Sequence, residues 1–300
     1  MPNRQGERKN VKSVYFVISV LLLYIIFLLG DSGQVLPGGM STTIIGAIWS
    51  KFHGNWEMCS DSSFLVRMNA IWDDNRYLPI LMPVICGLPG AMVYLGEIGT
   101  GNKRLILTRC SLKSYYISKI VANFVCSVLI SVFSIFLYYI TLVFFFDHIP
   151  VSDDSFRIIY FVFSGNMPEN SKDISWYLII YKLLKGILYF CFYSVMCSSF
   201  CYFMAVWCRD KYTAFGGTVF ICYMQSRIVE ELVRKYIMEG ITVAGTAADI
   251  LNPIFLHFAG DSGFYQNKEG LAVLLTFSII LFYYFMTVYL SQKQLDVSER

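Results

Sequence analysis

Long apolar runs alternating with polar stretches set the pattern of this chain. The runs cover about 14–30, 77–94, 120–146, 186–207, 212–229 and 271–290. Several approach or exceed the ~20 residues a helix needs to cross about 30 Å of hydrocarbon. The pattern predicts an all-α membrane protein with six transmembrane helices in a single domain over 1–300. The outer loops are expected at 31–76, 147–185 and 230–270.

The runs differ in ways that matter. Val14 to Gly30 follows Arg4, Arg8, Lys9 and Lys12, as a signal peptide would. It is long for a signal's apolar core and no A-x-A-like site follows it, so it reads as an uncleaved first span. The second run holds Pro79, Pro83, Gly87, Pro89 and Gly90. Each interior proline removes a backbone hydrogen bond and presses on the preceding turn. In lipid such a helix needs neighbours or water for the freed carbonyls, so an irregular helix inside a bundle is expected. The fifth run is apolar from Tyr212 to Tyr223, then carries Gln225, Arg227, Glu230, Glu231, Arg234 and Lys235. Ile228, Val229, Leu232 and Tyr236 keep helical spacing, which predicts an amphipathic continuation. Beyond it, 241–258 holds Gly245, Asp249, Asn252 and Pro253 and is expected to be re-entrant, giving a broken fifth segment. The 31–76 loop contains Trp49, Phe52, Trp56, Phe64 and Trp72, and is expected to lie on the membrane surface with His53 exposed.

Composition agrees with this reading. The chain is 56% hydrophobic and only 15% charged, against about 25% charged in soluble domains. Of nine cysteines, all but Cys59 lie in or beside apolar runs. They read as small buried apolar side chains rather than disulfides. Cys197 and Cys201 are four apart on one helix, but no His or carboxylate is near enough in sequence for a metal site.

Between the second and third runs lies a basic segment, Glu97 to Lys119, with Lys103, Arg104, Arg109, Lys113 and Lys119 against one acid. The N-terminus, this segment, the Arg209-Asp210-Lys211 turn and the Gln292–Arg300 tail are together strongly basic. The rest of the chain has an acid excess. Basic short loops face the cytoplasm, which places both termini there. Positive-inside bias and phospholipid contact are one explanation of the basic cluster.

Catalytic signatures are missing from the sequence. His53, His148 and His257 are scattered, and neither H-E-x-x-H nor G-x-S-x-G occurs. GEIGTGNK at Gly96 to Lys103 lacks the lysine register and the preceding strand of a phosphate loop. The clean spans carry no Asp, Glu, Lys or Arg of the kind that ion-coupled carriers keep in mid-helix. The chain is therefore expected to be no enzyme, to use no cofactor and to bind no nucleic acid.

The 97–119 segment resembles that of ABC-2-type transporter permeases, the membrane-spanning subunits of bacterial ABC transporters. The resemblance is carried by Glu97, Gly99-Thr100, Leu105-Ile106-Leu107, Thr108, Ser111 and Lys119. The sequence departs from the family pattern at Arg109, where proline is frequent, and at Leu112, the basic residue coming one later as Lys113. The resemblance implies a cytoplasmic coupling helix between spans 2 and 3 that docks on a separate ATP-hydrolysing subunit. The residues it assigns to coupling are Glu97, Gly99, Thr100, Arg104, Leu105, Leu107, Thr108, Arg109, Ser111, Lys113 and Lys119. It implies two ATP-binding subunits, a second permease subunit (identical or not), contact with membrane lipid, and a place in the bacterial cell membrane. The expected function is export of an amphipathic, peptide or lipid-like substrate. The competing reading is a membrane sensor or immunity-type protein that binds a ligand without translocating it.

Overall fold

The computed structural model describes residues 14–35, 41–53, 77–100, 106–146, 176–239 and 269–298. These form seven helices and a small antiparallel pair of strands. In chain order they are α1 (Val14–Leu28), β1 (Asp31–Val35), β2 (Ser41–Thr43), α2 (Ile44–Phe52), α3 (Leu78–Gly99), α4 (Leu112–Phe145), α5 (Trp176–Cys208), α6 (Lys211–Glu239) and α7 (Glu269–Ser298).

Every apolar run of the sequence lies on a helix. Four stretches are long and apolar enough to cross a membrane: Leu78–Gly99, Ser114–Phe145, Leu183–Cys208 and Val273–Gln292. The protein is thus helical and of membrane type. At 15 residues α1 is apolar but short, and α6 carries charge through its second half, so these two do not meet the same measure. The expected outer loops are partly helical: α5 begins at Trp176 and α6 runs unbroken to Glu239. No break therefore occurs within 211–239, and the re-entrant segment expected at 241–258 lies outside the described residues.

Local chemistry explains several boundaries. Pro79 sits in the first turn of α3, where its missing N–H has no helical partner to lose. Pro83 and Pro89 lie inside α3, yet the helix continues through both. Most of its spanning stretch is buried, as expected for a helix that needs neighbours. The α5–α6 turn is tight. Arg209 takes a left-handed conformation (φ 57°) and its N–H bonds to the Ala205 carbonyl at 3.1 Å. Asp210 then caps α6, its carboxylate accepting 2.9 Å hydrogen bonds from the N–H and the hydroxyl of Thr213.

The chain forms two compact units. The first comprises Met1–Leu22, Tyr77–Ser131 and Phe190–Arg300. Within it α3 packs on α6, and two glycines of α3 let neighbouring helices approach closely. A Cβ on Gly87 would collide with the Cys201 side chain of α5, and one on Gly90 with Asn123 of α4. Small polar residues join α4 to α5: Asn123 Nδ2 donates to Ser198 Oγ at 3.2 Å and Ser194 Oγ to the Ser127 carbonyl at 3.3 Å. In a membrane such contacts and close backbones take the place of a hydrophobic driving force between helices.

The second unit comprises Leu23–Arg76 and Val132–Tyr189. Tyr24 and Thr141 hydroxyls lie 2.7 Å apart, and Phe27 packs edge-on to Tyr138. The Ile44 N–H bonds to the Gly30 carbonyl at 3.1 Å, so α2 starts where α1 ends. Phe52, the last residue of α2, stacks edge-on against Phe145 at 5.8 Å.

Candidate functional site

The 97–119 segment is bracketed by its own two ends. Glu97, two residues before the end of α3, accepts a hydrogen bond from Lys119 Nζ at 2.5 Å on one carboxylate oxygen and from the Tyr115 hydroxyl at 2.6 Å on the other. The side chains of Lys119 and Glu97 are only 9% and 18% exposed, so the pair is largely out of water. A charge pair this enclosed costs desolvation that attraction alone scarcely repays. The additional Tyr115 hydrogen bond, and the Tyr115 ring 5.6 Å from Lys119 Nζ, help to offset that cost. Lys119 lies four residues after Tyr115, so both project from one face of α4 toward Glu97.

Behind the pair is an aromatic cluster. Tyr94 of α3 contacts Tyr116 of α4 and Tyr202 of α5, with ring centroids 6.3 and 5.6 Å apart. Tyr115 and Tyr116 meet edge-on at 5.1 Å. Ala91 and Leu95, then Cys201, Ala205 and Val206 of α5, and Ala214 of α6 complete a buried core at this end of the helices.

The described part of the intervening chain folds against this core. Ile106 and Leu107 are half-buried and pack on the tyrosine cluster. Hydrogen bonds from the N–H groups of Arg109 and Cys110 to the Ile106 carbonyl make residues 106–110 a compact turn. Thr108 and Arg109 are exposed. Ser111 caps α4, its hydroxyl accepting from the Ser114 N–H at 3.3 Å. At the other end Thr100 closes α3 by donating from its hydroxyl to the Gly96 carbonyl at 2.9 Å. Gly99 is exposed with open space around it.

The residues singled out in the sequence therefore divide. Glu97 and Lys119 come together. Leu107 is half-buried and packs on the chain's own core. Thr108, Arg109 and Ser111 form an outward edge, Gly99 and Thr100 lie at the exposed end of α3, and Arg104, Leu105 and the Lys113 side chain lie outside the described residues. Tyr115, Tyr94, Tyr116 and Tyr202 escaped the sequence reading. The Tyr115–Lys119 spacing was a signal for one of them; nothing in the sequence joins Tyr202 to the rest.

Other chemistry is sparse. Among the described residues no group of three or more His, Cys, Asp or Glu is placed to hold a metal ion, and the eight described cysteines form no disulfide with one another. His53 is exposed, its Nδ1 3.0 Å from the Trp49 carbonyl; His148 and His257 are outside the described residues. No protein-family model matches the chain, and no curated protein matches it.

Proposed function

We propose that the chain is the membrane-spanning permease subunit of an ABC transporter, with six spans and both termini cytoplasmic. It exports an amphipathic, peptide or lipid-like substrate on ATP hydrolysed by a separate subunit, and two such subunits act with two permeases. The observation that carries this reading is the Glu97–Lys119 segment. A motif resembling the ABC-2 type stands at a helix junction whose ends are tied by a largely enclosed ion pair, with Thr108, Arg109 and Ser111 left on the outside. A partner bearing on that edge pushes on a turn packed against the tyrosine core of α3, α4 and α5, which suits transmission of a rigid displacement. The docking face is then the polar edge, and Leu107 its internal support.

Copurification from native membrane in mild detergent tests the proposal. An ATP-binding subunit is expected to accompany the chain, and Arg109→Glu to release it while leaving thermal stability unchanged. If no nucleotide-binding protein associates and the Arg109→Glu chain transports as wild type does, the reading fails. Ligand protection independent of ATP would instead favour a ligand-binding sensor.

A further inference from the structure

We infer that α2 is a membrane-interface foot, its outer face seated in the headgroup–acyl boundary of the lipid bilayer; this stands apart from the permease reading. The helix has apolar residues on two faces. Ile44 and Ala47 point inward and are buried, whereas Ile45, Trp49 and Phe52, spaced four and three apart, form one outward stripe. Trp49 and Phe52 are 66% and 71% exposed. Nine residues span about 14 Å, too short to cross a bilayer.

The level of this helix is set by its attachments. Thr43 caps it, its hydroxyl accepting from the Gly46 N–H at 3.2 Å, and the Ile44 N–H bonds to Gly30 at the end of α1. Phe52 packs on Phe145, the last residue of α4. The stripe therefore stands at the ends of two apolar helices and continues the exposed apolar surface of the second, which finishes at Phe144, 78% exposed. Amphipathic aromatic rings concentrate at this depth of a bilayer. Lipid is the occupant that continues an already lipid-facing surface.

The test uses the full chain in phosphatidylcholine nanodiscs whose lipids carry bromine near the headgroup or near the acyl-chain end. Subtracting the Trp49→Phe signal from wild type isolates Trp49 among the five tryptophans. Blue-shifted Trp49 emission is expected, quenched several-fold more by headgroup-proximal bromine than by terminal bromine, with little quenching by aqueous iodide. Strong iodide quenching would place the stripe in water, and quenching mainly by terminal bromine would place it in the hydrocarbon core. Quenching by neither would place it under protein, such as a bound peptide or second copy. Each of those three results overturns the inference. Should Trp49→Phe lower the yield of folded chain, Ile45→Trp on wild type adds a second reporter on the same stripe and must follow the same order.

Discussion

Replacing Lys119 by Met should destabilise the chain by about 3 kcal/mol. At an effective dielectric near 20, two unit charges about 4 Å apart attract by about 4 kcal/mol. Removing one partner of an enclosed pair costs roughly 3–5 kcal/mol, because the remaining charge is left without compensation. The lower end applies here. Glu97 keeps the Tyr115 hydrogen bond and some contact with solvent, and the methionine stem still fills the space of the lysine. Glu97→Gln leaves one carbonyl oxygen where the carboxylate offered two acceptors, and leaves the Lys119 charge uncompensated, so it should cost a comparable amount. The two changes should therefore not add: the double variant is expected to be about 1–3 kcal/mol more stable than the sum of the single losses predicts. Equilibrium unfolding by SDS in mixed micelles, followed by circular dichroism, measures all four proteins. A Lys119→Met loss below about 0.5 kcal/mol, or additivity within about 0.3 kcal/mol, would refute the closed junction.

Other outcomes follow from the packing. Gly87→Ala puts a methyl 2.8 Å from Cys201 Sγ. Overpacking of about 1–3 kcal/mol should exceed the helix-propensity gain of about 1 kcal/mol, whereas Gly216→Ala, with open space, should raise the melting temperature; equal shifts for the two would contradict the α3–α5 contact. Tyr115→Phe removes a hydrogen bond to a charged group and should cost about 1.5–3 kcal/mol, read by the same SDS titration. The Asp210 carboxyl is held below the usual aspartate range, first by the Thr213 N–H and then by its hydroxyl. Its cap therefore stabilises the folded chain fully above the unfolded aspartate pKa and loses that contribution as pH falls through the lower folded value. Wild type should thus exceed Asp210→Ala in thermal midpoint at neutral pH, and the gap should narrow in acid. A gap that widens in acid would show that the carboxylate is not the cap.

What the sequence determines about this protein is what depends on neighbours along the chain. Apolar runs must leave water, so their lengths place the helices, and every run lies on one. Short-range chemistry is equally plain: Asp210 before Thr213 caps α6, and Ser111 before Ser114 caps α4. Exact ends are less legible: 176–185, expected within an outer loop, is apolar apart from Lys182 and Lys185 and extends α5, and the charged 230–239 extends α6 on the helical spacing of Leu232 and Tyr236. The prolines of α3 argued for irregularity, but packing on both sides keeps the helix continuous.

Tertiary structure alone decided how those helices face one another. Glu97 and Lys119 looked like the acid and the last base of a charged segment. They pair because the rotations of α3 and α4 aim two side chains, 22 positions apart, at the same point. Leu107 stood out as an aliphatic residue of a basic segment; the fold packs it, half-buried, on the core shared by α3, α4, α5 and α6. Tyr202 enters the same core from another helix nearly a hundred residues along the chain. Periodicity tells which residues share a face of one helix; which face meets which neighbour is set by close approaches such as Gly87 to Cys201 and Gly90 to Asn123. Those depend on all the helices at once.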